Sequence, residues 1–321
     1  EVMLQLQAYL GLDDSWEVFR RLHIDRTVAL EPRYVGPRLP PGTDWFGCRF
    51  QMINYGSGEY EECVYHPLAE YTTVEEIERN YCWPDSDWFD YSYMEKSLQG
   101  LEDYPVRGPH SEPFYIYKYL RGDEQAFIDL ILNPELVEYI LEKIYIYEHT
   151  RLLRTIEAVP GRLTYNLVAE DLGSQQGLMY SLDHIKRYFF PRMKRHMDFL
   201  HASGVAVMTH SDGAVRDAIP GLISCGMDIL NPIQWRCPGM EREDLKHDFG
   251  DQICFFGAMD NQQTLPFGSV ADVRREVVCN IDVLGRDGGY ILAPCHNIQP
   301  VTPVENIIAM YEAAYEFGKY S

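Results

Sequence analysis

The sequence predicts an α/β protein, and among α/β architectures a (β/α)8 barrel forming one domain over residues 1–321, on three observations. From residue 162 onward, strand-like runs at 163–169, 205–209, 227–230, 252–257 and 289–293 alternate with helical segments at 183–202, 214–224, 270–284 and 303–317. The run Val205-Ala206-Val207-Met208 is continuously apolar, as a strand covered on both faces of a parallel sheet should be. The length of 321 residues holds eight βα units, about 250 residues, with insertions. A doubly wound open sheet is the alternative, but no GxGxxG loop and no P-loop follows any strand.

Taken in order, residues 1–30 read as helical, because Leu4, Leu6, Tyr9 and Leu10, then Trp16, Phe19 and Leu22, recur at helical spacing. Residues 27–34 form the first strand candidate. Pro37, Pro40, Pro41 and Gly42 mark a loop, and the alternation of Phe50, Met52, Tyr60, Val64 and Tyr65 within 44–71 predicts a small β-excursion. Thr73 with Glu76 has the form of a helix capping box. The aromatic stretch WPDSDWFDYSY between 81 and 109 reads as an ordered loop with a short helix; an aromatic lid over a ligand is the alternative. Residues 113–120 form a second strand candidate, and 124–158 two helices broken near Asn133-Pro134, since a residue before proline disfavours the helical region. Ser181 is a candidate cap for the long helix 183–202, Gly204 follows its end, and Pro191 within it predicts a kink or a restart.

Composition bounds the partners. A hydrophobic fraction of 46%, with 13% aromatic residues, supplies a sizeable core. With 28 Lys and Arg against 49 Asp and Glu the net charge is -21, which argues against nucleic acid, an anionic membrane or a polyanionic substrate. Arg33, Arg49, Lys118 and Arg121 are candidates for a local basic pocket. No apolar run approaches the roughly 20 residues that span a bilayer and no signal peptide is visible, so a cytoplasmic location is the expectation. The eight cysteines contain no CxxC pair, which predicts reduced thiols rather than a disulfide framework or a cysteine-rich zinc module.

Chemistry is expected at the carboxyl ends of the strands. These ends offer Glu170 and Asp171, His210 and Asp212, Asn231 and Gln234, Asp260 and Asn261, and Cys295, His296 and Asn297. In an extended chain residues two apart share a face, so His210 and Asp212 project together. A metal site of His210, Asp212 and His296, with Glu170 or Asp171 as a fourth ligand, has the residue types that hold zinc with an open position, and iron or manganese as well. The plainer alternative makes His210 and His296 neutral hydrogen-bonding groups and Asp212 a cap on the helix beginning near Ala214. Cys295 and His296 are adjacent and should face opposite ways, leaving a buried thiol. Asn231 and Gln234 could bind substrate from the rim or simply end the strand in a turn. Tyr115, Tyr117, Tyr165 and Tyr180 suit a flat ligand or the core.

The segments HSDGAVRDAIPGLISCGMDILNPIQ (210–234) and GGYILAPCHNIQPVTPVENIIAMYEAA (288–314) resemble the uroporphyrinogen decarboxylase superfamily, a (β/α)8 barrel superfamily that includes the cobalamin-dependent methyltransferases. PLAEYTTVEEIE (67–78), AEDLGSQQG (169–177) and FLHASGVAVMTH (199–210) are similar too, so the resemblance spans most of the chain. It implies two different activities. The true decarboxylases use no cofactor and bind a tetrapyrrole with eight carboxylates through an arginine-rich amino-terminal segment. Here only Arg33 and Tyr34, in EPRYVGP, lie in a comparable region, although His296 falls where those enzymes have a histidine.

The methyltransferase branch moves a methyl group between a small substrate and the cobalt of a corrinoid held by a separate corrinoid protein. Its thiol-methylating members bind zinc through a His-x-Cys pair and a later Cys. His210 matches that histidine, Asp212 stands at the first cysteine position and His296 at the second. This harder set implies an oxygen-bearing, methoxylated substrate in place of a thiol. The resemblance therefore implies a corrinoid-dependent methyltransferase of the O-demethylase kind. Zinc and a methylcobalamin-type corrinoid are its cofactors, a corrinoid protein and a small methyl donor or acceptor its partners, and a homodimer its assembly. His210, Asp212, His296 and Asp171 would be catalytic, Glu170, Asn231, Gln234 and Tyr165 substrate-binding, and His210, Asp212, His296 and Glu170 metal ligands. A cofactor-free decarboxylase and a non-catalytic binding barrel are the alternatives.

Overall fold

The computed structural model describes residues 1–54 and 59–319. Its strands are β1 (Val28–Ala29), β2 (Arg33–Tyr34), β3 (Arg49–Asn54), β4 (Glu59–Tyr65), β5 (Phe89–Asp90), β6 (Val106–Arg107), β7 (Tyr165–Leu167), β8 (Ala206–His210), β9 (Ile229–Asn231), β10 (Cys254–Met259) and β11 (Tyr290–Pro294). The chain divides into two compact units, one of Glu1–Val28, Asp171–Leu182 and Ala206–Ser321, the other of Ala29–Glu170 and Asp183–Val205.

The first unit is α/β with a parallel sheet. Strands β8 to β11 lie side by side in sequence order, with His210 opposite Asn231, Phe255 opposite Leu230, and Met259 opposite Pro294. Each is followed by a helix: Ile219–Cys225, Arg242–Phe249, Val270–Leu284 and Val304–Phe317. Strands β8, β9 and β10 bury Val207, Met208, Leu230 and Phe255, in keeping with the continuous apolar run at 205–208, while β11 at the sheet edge leaves Ile291 exposed. Arg242–Phe249 escaped the sequence reading because REDLKHDF buries only Leu245 and so carries no apolar stripe. Val273 and Val277 from one helix and Met310 and Ala313 from the next close over Met259 and Leu265. The amino-terminal helices Val2–Leu10 and Ser15–Arg21 bring Leu6, Val18 and the following Leu22 onto Ile307, so the two chain ends share one core cluster. Among the described residues no helix is long and apolar enough to cross a membrane.

The second unit holds the hairpin β3–β4 at the expected β-excursion, its connecting residues 55–58 lying outside the described residues. The 27–34 strand is two short strands instead, because Pro32 between them has no N–H to give a ladder. The strand expected at 113–120 is a helix, Pro113–Arg121. Its proline sits at the first turn, where no N–H is needed, and Phe114, Tyr117, Leu120 and Arg121 are buried at helical spacing. The three-to-four residue stripe of buried side chains is what makes this segment a helix and not the expected strand. The Thr73 capping box is present with both of its bonds, and the helices Asp123–Leu132 and Pro134–Ala158 break at Asn133. Pro191 restarts the long helix as Phe190–Ala202 after a π-helical stretch, Ile185–Phe189. A proline cannot donate to the carbonyl four residues back, and the widened turn before it absorbs the mismatch.

Arg121, one of the four basic-pocket candidates, is buried against Asp129. The Nε donates to Oδ2 at 2.8 Å, while the Asp129 carboxylate also accepts from the Tyr117 hydroxyl and from Gln125 and Asn133. This arginine is a structural cation, fully engaged. Tyr117 is core as well, stacked on Phe114 with ring centroids 5.4 Å apart.

Candidate active site

Strand β8 ends at His210, and the chain then runs through Ser211 and Asp212 to Gly213. A second loop, Asp171 to Leu182, lies against it. The two are joined by backbone-scale contacts: the Leu172 N–H donates to Ser211 Oγ at 2.9 Å, the Asp212 N–H to Asp171 Oδ1 at 3.2 Å, and the Ala214 N–H to the Ser174 carbonyl at 2.8 Å. Such an approach leaves no room for side chains at the contact. A Cβ on Gly173 would lie 2.4 Å from the Asp212 carbonyl, and one on Gly213, at φ 80°, 2.3 Å from the Ser174 carbonyl. Both loops need glycine where they touch.

The consequence is a cluster of Asp171, His210 and Asp212, whose donor atoms lie within 4.8 Å of one another. His210 Nδ1 is 2.8 Å from Asn231 Oδ1, and Asn231 Nδ2 points toward the Phe256 carbonyl at 3.5 Å. That network assigns Asn231 Oδ1 as the acceptor and His210 Nδ1–H as the donor. The lone pair of a neutral imidazole is then on Nε2, which faces Asp171 Oδ1 at 3.9 Å. Burial raises the Asp212 carboxyl above the usual carboxylate range, with Asp171 adding to the rise and His210 and His296 opposing it. Its Oδ1 is buried and has no hydrogen-bond partner among the described residues. A buried carboxylate oxygen without a donor, beside a second carboxylate and an imidazole lone pair, is a site short of positive charge. A divalent cation or a proton on Nε2 would supply it. The donor set, one nitrogen and two carboxylates, suits zinc, iron(II) or manganese.

A shallow cleft, open to solvent, adjoins this strand edge and is lined by Gln175, Gln234, Arg236, Cys237, Asp260 and Asn261 among others. Gln234 Oε1 accepts from the Gly213 N–H at 2.6 Å and from Gln175 Nε2 at 3.1 Å, and the Cys237 thiol donates to Gln175 Oε1 at 3.5 Å. Fixing the Gln234 oxygen inward fixes its amide group too. Arg236 is held by Asp260 and Thr264.

The remaining sequence-predicted residues fall as follows. Asn231 orients His210, and Gln234 stands at the Gly213 turn. His296 is exposed, influences Asp212 electrostatically and lies outside the three-residue cluster; its carbonyl accepts from Asn261 at 2.6 Å. Cys295 is buried, its thiol donating to the Ile233 carbonyl at 3.2 Å, so the adjacent pair does face opposite ways. Glu170 is buried in the second unit, where Oε1 accepts from the Phe114 N–H at 3.0 Å, while its neighbour Asp171 joins His210 and Asp212. Tyr165 is half-buried in that same second unit. The capping alternative for Asp212 is not what forms: the next turn, Arg216–Ala218, follows Val215 without a side-chain cap. Gln175 and Cys237 had no signal in the sequence beyond being polar or thiol residues near strand ends.

The family model for uroporphyrinogen decarboxylase (URO-D) matches residues 92–317. Among solved structures, a methyltransferase from Methanosarcina mazei superposes with a TM-score of 0.67 at 18% identity, covering 94% of this chain and 84% of that one. Dispersin B superposes at 0.40 and 11% identity over 71% of this chain and 78% of its own, too loosely to bear on fold or activity. No curated protein sequence matches the chain.

Proposed function

Because the chain belongs to the uroporphyrinogen decarboxylase family, we propose that it is a methyltransferase of that family's corrinoid-dependent branch. In this reading it moves a methyl group between a small methoxylated substrate and the cobalt of a corrinoid carried on a partner protein. A (β/α)8 barrel, supported by the βα repeats of the first unit and by family membership, is the architecture that goes with it. The observation that carries the reading is the cluster of Asp171, His210 and Asp212 at a strand end, with a buried Asp212 oxygen that lacks a donor. The net charge of -21 disfavours the alternative, a decarboxylase of an octa-carboxylate tetrapyrrole. The methyltransferase among the structural neighbours is in keeping with the proposed class.

Demethylating an ether is hard because an alkoxide or phenoxide leaves poorly, so charge on that oxygen must be neutralised as the carbon–oxygen bond breaks. A bound divalent ion would supply a Lewis acid there, held by Asp171, His210 and Asp212. Asn231 keeps the imidazole in the tautomer with Nε2 free, and the paired carboxylates balance the added charge. With a proton in place of the ion, His210 Nε2–H becomes a general acid beside the same two carboxylates. His296, at the edge of the cluster, adds a second imidazole to its field.

The test is bound metal and methyl transfer together. Wild type purified without chelators is expected to hold about one zinc, iron or manganese per chain, lost in His210→Ala with circular dichroism unchanged. Methylation of cobalt(I) cobalamin from a panel of methoxylated aromatics is expected for wild type and not for the variant. Metal-free wild type that takes up none on dialysis moves the weight to the acid–base form. Unchanged methyl transfer in His210→Ala, or tight binding of a polycarboxylated tetrapyrrole, overturns the assignment.

A further inference from the structure

Among the described residues lining the cleft of the first unit, Arg236 alone carries a positive charge. Its side chain is 45% exposed, yet it is held in place. Nε donates to Asp260 Oδ2, Nη2 donates to Thr264 Oγ1 at 3.2 Å, and the guanidinium lies over Trp235, 4.3 Å from the ring centroid. Trp235 is anchored in turn, its indole N–H directed at Glu276 Oε1 at 3.4 Å and the Arg242 guanidinium 3.9 Å from its centroid. A guanidinium carries five N–H donors in a rigid fork. With Nε and Nη2 engaged, Nη1 has no partner among the described residues, and the exposed fork faces the cleft.

Asp260 does not use up this cation. Its carboxylate is buried and also accepts from the backbone N–H groups of Gln262 at 2.8 Å, Gln263 at 3.3 Å and Thr264 at 3.2 Å. A carboxylate so committed to its own loop meets Arg236 through Nε alone, where a closed bidentate pair would take two nitrogens of the fork. Gln234 supplies a second donor. Its Oε1 is fixed by the Gly213 N–H and by Gln175 Nε2, so the amide nitrogen is fixed as well, and Nε2 has no partner among the described residues. The acceptors nearby are engaged or closed off: Gln175 Oε1 accepts from the Cys237 thiol, and Asn261 Oδ1 is buried. The cleft also lies near the metal-ligand cluster. The Cys295 thiol in its lining feels the charge of both Asp260 and Asp212, and Gln234 holds the turn next to Asp212.

We propose that Arg236 determines specificity for a methoxylated substrate that carries a carboxylate, bound in the cleft through the open Arg236 fork with the Gln234 amide as the second donor. This rests on the methyl-transfer reading and adds the substrate's charge to it. A carboxylate suits the site better than a phosphate. Its plane matches the guanidinium fork, and its single charge is tolerable where Asp260, Asp212 and Asp171 make a dianion costly. It is also a small group, so a shallow cleft is enough to seat it while the rest of the substrate extends from the open mouth.

The experiment compares 4-methoxybenzoate with its neutral isostere 4-methoxybenzamide as methyl donors to cobalt(I) cobalamin. It also follows, by calorimetry on the full chain, the binding of 4-hydroxybenzoate, which has no methyl group to lose. Wild type is expected to favour the acid over the amide by about 10- to 100-fold in kcat/KM and to bind 4-hydroxybenzoate at one saturable site. Arg236→Gln should bring the two methyl donors within about 2-fold of each other, through a raised KM for the acid. Arg236→Lys keeps the charge without the fork and should recover part of the preference. A merely structural role for Arg236 would slow both donors alike and leave their ratio untouched. Equal use of acid and amide by wild type, or a ratio unmoved in Arg236→Gln, overturns the proposal and leaves the methyl-transfer reading standing. If neither donor is used, calorimetry decides: 4-hydroxybenzoate binding that Arg236→Gln abolishes keeps the anion site while the methyl-transfer reading fails, and binding that is absent or unchanged in the variant overturns the proposal.

Discussion

Gly213→Ala should separate the cost of a left-handed backbone from the cost of loop contact, with Gly288→Ala as its control in the same unit. Gly288 has φ 88° and open space where a Cβ would go, so alanine there meets only the left-handed penalty, about 1 kcal/mol. Gly213 has nearly the same φ, 80°, but its Cβ would sit 2.3 Å from the Ser174 carbonyl oxygen and 2.6 Å from the Ser174 carbon. Neither atom belongs to a side chain that can rotate away. The loops must part by roughly 1 Å to reach van der Waals distance, stretching the Ala214 N–H bond to Ser174 and the Gly213 N–H bond to Gln234. Adding a weakened pair of hydrogen bonds to the backbone term gives a total of about 3–4 kcal/mol. Urea unfolding of the two variants, followed by tryptophan fluorescence and circular dichroism, measures the difference. Metal uptake measured on the folded variants should fall for Gly213→Ala alone, because the same contact brings Asp171 to Asp212. Equal destabilisation of the two variants would refute the argument that glycine at 213 serves loop contact.

Three further outcomes follow from named contacts. Asn231→Ala frees the His210 ring from the bond that fixes its tautomer, and metal affinity, read by competition with a chelator, should drop about 10- to 100-fold with little change in folding. Asp129→Ala strands the buried Arg121 cation and should cost about 3–5 kcal/mol in urea unfolding, whereas a change below 1 kcal/mol would contradict its structural role. The Glu148 carboxyl, buried and accepting from Ser111 Oγ and the Glu112 N–H, is pushed up to about 7 by desolvation, from an ordinary 4.5. A raised carboxyl binds its proton more tightly folded than unfolded. Its contribution is therefore whole below pH 4.5 and lost as pH rises through 7, up to about 3 kcal/mol. Glu148→Gln should flatten that part of the stability–pH curve between pH 5 and 8, and an unchanged slope would remove Glu148 as its source.

The sequence by itself determined the elements whose signal is local. Continuous apolar runs marked the buried parallel strands, the Thr73–Glu76 pair marked a helix start, and Asn133-Pro134 and Pro191 marked breaks, because each acts within one turn or one strand. The period of two along a strand was enough to put His210 and Asp212 on one side, and to send Cys295 and His296 apart. Only the tertiary structure decided between Glu170 and Asp171 as the acid beside them. The two are neighbours with the same chemistry, and what distinguishes them is a partner far along the chain, the Phe114 N–H for one and the Asp212 N–H for the other. The same holds for Pro113–Arg121, where aromatic residues suit strand and helix alike until one face finds a core to bury against. Propensity and period are properties of neighbours in sequence; burial and hydrogen-bond satisfaction are properties of neighbours in space, and the candidate sites are made of the second kind.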